Sequence, residues 1–130
     1  MRKYLPVIVA GILIAYLILI FYLSSIPGAE ITVETPDYIL HGLAFGGLSF
    51  LLTIFFLFYL KLNFSIFFSL FFTLLYGLSD EAHQSFVPGR TPDWKDVAAD
   101  LFGAIIAQIC LFILIHLYSL WKSKRRKNLK

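Results

Sequence analysis

The stretch YLPVIVAGILIAYLILIFYL, residues 4–23, decides the fold class because it holds twenty consecutive residues without a charge. Twenty residues of helix cover about 30 Å, which is the thickness of the hydrocarbon core of a bilayer. Arg2 and Lys3 precede the stretch, as basic residues do in a secretory signal peptide. The run is long for a signal peptide, however, and residues 24–27 (SSIP) lack a clear small-x-small cleavage site. We therefore predict a membrane-spanning helix that is retained.

Three further apolar runs follow, at residues 38–60, 64–80 and 97–121, with a short hairpin expected at residues 61–63. Hydrophobic residues make up 59% of the 130-residue chain and charged residues 15%, whereas soluble domains contain about 25% charged residues. Because the bilayer core offers no water to the backbone, each run must satisfy its own hydrogen bonds as a helix. The predicted fold is all-α, a four-helix transmembrane bundle in which residues 1–130 form a single domain.

The basic residues predict the orientation of this bundle. With the N-terminus inside, the cytoplasmic side holds nine of the eleven basic residues, namely Arg2, Lys3, Lys61 and six in the tail at residues 122–130. Only Arg90 and Lys95 remain outside, and cytoplasmic loops are the ones that carry an excess of basic residues. We expect a multi-pass protein of the inner (plasma) membrane with both termini in the cytoplasm.

The basic tail also bears on possible partners. It directly follows an apolar helix, so it is typical of an anchor near anionic lipid headgroups rather than of a nucleic-acid-binding arm. We therefore expect membrane lipids as partners and no nucleic acid. The single cysteine, Cys110, lies within an apolar run, which excludes a disulfide framework. Four helices could pack alone, although a homodimer would enlarge a small bundle.

Acidic residues are confined to the predicted outer side or to within about a turn of it: Glu30, Glu34, Asp37, Asp80, Glu81, Asp93, Asp96 and Asp100. His41, Asp80 and Asp100 lie 17–22 residues from the cytoplasmic turn or tail, which is about 26–33 Å along a helix. Three helices therefore bring ionisable groups to one layer. Carboxylates at this depth are costly unless they are paired or hydrated, so they are candidates for function.

Helical spacing places several of these ionisable residues on the same face of a helix. Asp37 and His41 are four residues apart on helix 2, and Asp96 and Asp100 share a stripe with Asp93 on helix 4. Gln84 would share a face with Asp80 if helix 3 continues that far. We expect small-xxx-small pairs, Gly42 with Gly46 and Gly103 with Ala107, to allow close helix packing. The Phe-rich face of helix 3 should face lipid.

The loop between helices 3 and 4 contains the cation nearest to this layer, Arg90. We expect its guanidinium to bridge Glu81 or Asp96, or to bind an anionic group such as phosphate. Residues 91–93 (TPD) predict a helix start, with Thr91 as the cap, proline at the first position and an acid in the first turn.

Three blocks of the chain resemble the VanZ-like family, named for a protein associated with teicoplanin resistance. They are residues 24–27 (SSIP), Asp37 with His41, and residues 80–103 (DEAHQSFVPGRTPDWKDVAADLFG). The chain departs from the family at Tyr38, where lysine is frequent, and at Gly42, where phenylalanine is common, so no lysine-mediated role is expected beside Asp37. The resemblance implies a cell-envelope protein that affects sensitivity to glycopeptide antibiotics. It extends to the residues His41, Glu81, Gln84, Arg90, Asp96 and Asp100.

From these residues we predict one site with two kinds of group. The candidate catalytic residues are His41, Glu81 and Asp100. The candidate substrate-binding residues are Gln84, Arg90, Asp96 and Asp37. The alternative is a purely structural network, in which His41 pairs with Asp37, Glu81 and Gln84 hold the loop, and the acids of helix 4 pair with Arg90 or His41.

Two functions remain open at this stage. The site could act on a lipid-linked envelope precursor, with Arg90 against the polar head and Glu81 or His41 moving a proton. Alternatively, it could bind a glycolipid, a glycopeptide or a partner protein without catalysis. A transporter is less favoured because the inner half of each span lacks ionisable residues other than His116.

No cofactor is expected from the sequence. Asp80, His41 and Asp100 could offer mixed nitrogen and oxygen ligands to zinc or manganese. The chain has no HExxH or CxxC motif, however, so the sequence favours a site without metal.

Overall fold

The computed structural model describes residues 3–30 and 36–127, and these residues form four long helices joined by turns. The helices are α1 (Leu5–Ser24), α2 (Asp37–Phe56), α3 (Leu62–Gln84) and α4 (Trp94–Lys127), with a 3-10 turn at Gly28–Glu30. Each long helix is sufficiently long and apolar to cross a membrane, which confirms the predicted all-α architecture with four spans. Arg2, Glu34 and the end of the basic tail lie outside the described residues.

Several helix boundaries differ from the sequence-based expectation. Helix α3 ends at Gln84 rather than at residue 80, and α4 runs to Lys127 rather than to residue 121. The turn between α2 and α3 occupies residues 57–61 rather than 61–63, because the helix ends at Phe56 and Lys61 is extended. Residues 57–60 are apolar, so hydropathy alone could not reveal that the chain turns there. At the start of α4, the capping residue is Asp93 instead of Thr91: Asp93 Oδ1 accepts a hydrogen bond of 2.9 Å from the Lys95 N–H.

Helix α2 is central, since it packs against all three other helices and most extensively against α4. The apolar core consists of Leu13 and Ile20 from α1 with Phe45, Leu48 and Leu52 from α2. Helix α1 is the most peripheral of the four and is fastened by two tyrosines. Tyr16 donates a hydrogen bond to the Ala44 carbonyl (3.0 Å), and Tyr76 donates one to the Leu17 carbonyl (2.8 Å).

Glycines set the distance between α2 and α4. A Cβ atom on Gly103 would overlap the carbonyl oxygen of Gly42, and a Cβ atom on Gly46 would lie 3.0 Å from the carbonyl oxygen of Gly103. The two backbones are therefore in direct contact, as the small-xxx-small spacing predicts. Because Gly42 follows His41 and Gly103 comes three residues after Asp100, this contact also fixes the separation of those two side chains.

Helix α3 has two contrasting faces. Every fourth residue on the inner face is small or polar and buried, beginning with Ser65, Ser69, Thr73 and Gly77. The opposite face exposes phenylalanines such as Phe67, which is 61% exposed, in agreement with the expected lipid-facing side.

The hydroxyls of α3 belong to a polar column, which we define as Ser49, Thr53, Ser65, Ser69, Thr73 and Gln108. Gln108 links three helices within it: its Nε2 donates to Ser49 Oγ at 2.6 Å and to Ser69 Oγ at 3.2 Å, and its Oε1 accepts from Thr53 Oγ1 at 3.0 Å. The sequence analysis missed this column because its residues are uncharged. The spacing of four residues along α3 was the signal that could have revealed it.

Candidate functional site

The centre of the candidate site is a contact between α2 and α4. His41 Nδ1 lies 3.0 Å from Asp100 Oδ1, and the two residues are only 7% and 1% exposed. The imidazole stacks on the ring of Phe45, with a centroid distance of 5.8 Å and an interplanar angle of 3°. The structural alternative had offered His41 either Asp37 or an acid of helix 4, and the hydrogen-bond partner is Asp100 of helix 4. With Asp100 accepting the Nδ1 proton, a neutral imidazole presents the Nε2 lone pair on its other side.

Helix α3 supplies the groups on that other side. It continues to Gln84, whose Nε2 donates to Asp80 Oδ2 at 3.0 Å and lies 3.4 Å from His41 Nε2. Asp80, Glu81 and Gln84 are 5%, 7% and 2% exposed. One turn earlier, Gly77 leaves room for the Asp100 carboxylate, because a Cβ atom there would lie 2.6 Å from Asp100 Oδ2. The absence of a side chain on α3 therefore admits the acid from α4.

Glu81 connects the end of α3 to the start of α4. Its Oε2 accepts a hydrogen bond of 2.8 Å from the Asp93 N–H, and Asp93 in turn caps α4. Its other oxygen, Oε1, is buried without a hydrogen-bond partner among the residues that the structure describes. One carboxylate oxygen of Glu81 therefore holds the loop, and the second has no assigned partner.

Arg90 lies at the rim of this cluster and pairs with the acid that opens α2. Its Nη1 donates to Asp37 Oδ2 at 2.6 Å, with the Arg90 side chain 11% exposed and the Asp37 side chain 44% exposed. The expected partners, Glu81 and Asp96, are not the ones that the guanidinium contacts. Sequence spacing could not show this, because the path of the loop depends on a turn at Gly89, whose φ is +76°. The Arg90 Nε atom is buried without a partner in the described part of the chain.

Asp96 completes the inward stripe of α4. It is 7% exposed, and one of its carboxylate oxygens lies within 4.8 Å of ligand atoms from both Asp37 and His41. The structure therefore brings all seven predicted site residues to one end of the bundle. It adds Asp80, which the sequence had offered only as a metal ligand. We call the inner group the acidic cluster: His41, Asp80, Glu81, Gln84, Asp96 and Asp100.

His83, another polar residue of the third sequence block, faces away from the acidic cluster. His83 points to α1, where its Nε2 lies 2.9 Å from Ser25 Oγ and its ring packs on Phe21 with a centroid distance of 4.5 Å. Gly28 N–H donates to the Pro88 carbonyl at 3.1 Å. The segment after α1 and the loop after α3 are thus held together beside the acidic cluster.

An apolar groove lies deeper in the bundle, between α1, α2 and α3. It has a volume of about 260 Å³ and is lined by Leu13, Leu17, Leu48, Leu52, Phe55, Phe56, Phe72 and Tyr76. Phe45 connects the two regions, because it stacks on His41 and also contacts the ring of Tyr76 at a centroid distance of 5.9 Å. The bundle therefore places an acidic, hydrogen-bonding cluster near one end and an apolar groove further along.

Comparison with known proteins gives one family match. The family model described as VanZ/LLP1 matches residues 8–116, a range that includes the whole acidic cluster and its rim. Neither the curated proteins nor the solved structures contain a match to this chain.

Proposed function

The chain belongs to the VanZ/LLP1 family and is a multi-pass membrane protein, and we propose that it binds the polar head of a lipid-linked envelope precursor at the acidic cluster. The site opens to the outer side of the bacterial plasma membrane, and both termini lie in the cytoplasm. Through this ligand the protein affects sensitivity to glycopeptide antibiotics such as teicoplanin.

One observation carries the proposal: three helices of a membrane protein bury an imidazole and four carboxylates together at one end. Ionisable groups within membrane spans are costly, so such a concentration indicates a functional site rather than general packing. At its rim, Arg90 offers a guanidinium with a buried Nε that has no partner among the described residues. A guanidinium suits the phosphate of a lipid-linked precursor, because its planar donors match phosphate geometry.

The apolar groove supports a lipid rather than a water-soluble ligand. Its lining is wholly apolar apart from the hydroxyl of Tyr76, which is already bonded to the Leu17 carbonyl. An acyl or prenyl chain entering between α1 and α3 would bury apolar surface there while its head reaches Arg90. The orientation is supported by the basic residues at the C-terminal end of α4, since cytoplasmic flanks are rich in lysine and arginine.

A catalytic role is the second candidate, and the His41–Asp100 contact favours it. An acid that orients a histidine through Nδ1 leaves Nε2 free to accept a proton, which is the arrangement of a general base. The substrate would be the same lipid-linked precursor, and Glu81 Oε1 would be the second group able to move a proton.

Binding is tested with purified protein in lipid nanodiscs and radiolabelled lipid-linked envelope precursors. We expect Arg90→Ala to weaken binding at least tenfold. The control Lys95→Ala should bind normally, because the Lys95 side chain is exposed and its ion pair among the described residues is with Asp93, at 3.8 Å. Turnover that Glu81→Gln abolishes while binding persists would establish catalysis. The proposal fails if no envelope lipid binds and if expression of Arg90→Ala in a deletion strain returns glycopeptide sensitivity to the wild-type level.

A further inference from the structure

We infer that the acidic cluster is a divalent transition-metal site in which His41 Nε2, Asp80 and Glu81 are the ligands and Asp100 orients the histidine. The inference deepens the proposed function, since it concerns the same cluster, but the ion binds without the lipid. It assigns a cofactor that the sequence motifs had not indicated.

His41 is arranged as a metal-ligating histidine. Such histidines donate one ring N–H to a carboxylate, which fixes the tautomer and aims the other nitrogen at the metal. Here Asp100 Oδ1 lies 3.0 Å from Nδ1, and the stacked Phe45 ring fixes the plane of the imidazole. Among the described residues, the hydrogen-bonding contact of Nε2 is with Gln84 Nε2, at 3.4 Å, which is at the long limit of a hydrogen bond.

The carboxylates of Asp80 and Glu81 lie close enough to His41 to share a metal ion with it. One ligand atom each from His41, Asp80 and Glu81 lies within 4.8 Å of the other two. A zinc or manganese ion with bonds of about 2.0–2.2 Å holds neighbouring ligand atoms about 3–4 Å apart. The three ligand atoms would therefore have to approach one another by about 1 Å to bind the ion. Rotation of the Gln84 amide would present its Oε1 in place of Nε2 and add an oxygen as the fourth ligand.

An unpartnered atom points to a missing ligand independently of this spacing. Glu81 is 7% exposed, and its Oε1 is buried with no hydrogen-bond partner among the described residues, although Oε2 is used by the Asp93 N–H. A buried carboxylate oxygen without a partner is unfavourable, and a bound cation removes that cost. Asp100 Oδ2 is buried and unpartnered in the same way.

The charges of the cluster also favour a cation. Asp80, Glu81, Asp96 and Asp100 are all at most 7% exposed, and the nearby guanidinium of Arg90 is already paired with Asp37. A divalent ion would offset much of this negative charge in a low-dielectric setting. A ligand set of one imidazole and two carboxylates suits manganese or zinc better than calcium or magnesium, which prefer oxygen alone.

A second group of possible ligands, Asp37, His41 and Asp96, is less suitable. Its atoms also lie within 4.8 Å of one another, but Asp37 is exposed and forms the 2.6 Å contact with Arg90. An ion there would have to compete with a guanidinium. The structure therefore assigns the ion to the α3 side of His41, and Asp37→Asn separates the two possibilities.

The test measures binding of Mn²⁺ alone to full-length protein, treated with EDTA and then dialysed, by the loss of the free-ion signal in electron paramagnetic resonance. We expect one ion per chain. Affinity should fall at least tenfold in His41→Gln, Asp80→Asn and Glu81→Gln, and tenfold to a hundredfold in Asp100→Asn, where only the orienting contact is lost. His83→Gln is the matched control, because that imidazole faces Ser25 and Phe21, and it should bind as the wild type does.

If His41→Gln does not fold, Asp80→Asn and Glu81→Gln decide the matter. The inference is overturned if the wild type binds no Mn²⁺ or Zn²⁺, if both carboxylate variants bind normally, or if Asp37→Asn alone abolishes binding. Precursor binding measured in excess EDTA distinguishes the two proposals. A protein that binds the lipid but never the ion would refute the metal site and leave the proposed function standing.

Discussion

Replacing Gly103 by alanine tests whether the backbone contact between α2 and α4 holds the candidate site together. The added Cβ atom would overlap the Gly42 carbonyl oxygen, which belongs to a helix backbone and cannot rotate away as a side chain could. The helices would have to separate by on the order of 1–2 Å to restore normal contact. Because His41 and Asp100 meet across the same contact, their 3.0 Å hydrogen bond would be lost as well.

The expected change in the free energy of unfolding combines two destabilising contributions and one stabilising contribution. Overpacking of a tight contact costs about 1–3 kcal/mol, and more when backbone must move. An interhelical hydrogen bond in a membrane protein is worth about 0.6–1.7 kcal/mol. Alanine gains up to about 1 kcal/mol over glycine in helix propensity. The free energy of unfolding should therefore fall by about 1–4 kcal/mol in Gly103→Ala.

The chain offers a matched control in α1. A Cβ atom on Gly11 would meet nothing within 4 Å, so Gly11→Ala carries the same propensity gain without the overlap and should be neutral or stabilising. Reversible unfolding in mixed micelles, titrated with sodium dodecyl sulfate and followed by circular dichroism, measures both variants. If Gly103→Ala proves as stable as Gly11→Ala, the backbone contact does not determine the helix separation, and the account of the His41–Asp100 pair is wrong.

Two further predictions concern the polar column and the orientation. Gln108→Leu should lower the free energy of unfolding by about 1–2 kcal/mol in the same titration, since it removes the links to α2 and α3, whereas Phe112→Leu on the lipid-facing side should change it little; equal stability of the two variants would contradict the role given to the column. In a Cys110→Ser background, a membrane-impermeant maleimide added to intact cells should label Ser85→Cys but not Ser123→Cys, both exposed positions at opposite ends of the bundle. Labelling of the tail position alone would invert the proposed orientation.

The sequence predicted the parts of this molecule that depend on solvent and periodicity. Apolar length predicted four helices, and residue counts along them placed His41, Asp80 and Asp100 at one depth, where the structure brings them together. Small-xxx-small spacing also predicted close helix packing at Gly42 and Gly103, and the structure shows that α2 and α4 are the helices that meet there. These features follow from helix geometry and the bilayer, so a single sequence contains them.

What the sequence could not predict depends on irregular backbone and on uncharged groups. The partner of Arg90 is Asp37 because of the turn at Gly89, and no helical periodicity describes that loop. The cap of α4 is Asp93 rather than Thr91, and both residue types are favoured at a helix N-cap, so the sequence alone does not choose between them. The polar column was not predicted because a single serine in an apolar run, such as Ser69, does not reveal whether it is buried.

Hydroxyl groups along one face make α3 the least apolar of the four helices. A translocon that releases each segment according to its own apolarity would pass α3 into lipid less readily than α1. The partners of those hydroxyls belong to α2 and α4, through Ser49 and Gln108. We therefore expect α3 to insert more readily when α4 is present than when the chain ends after α3.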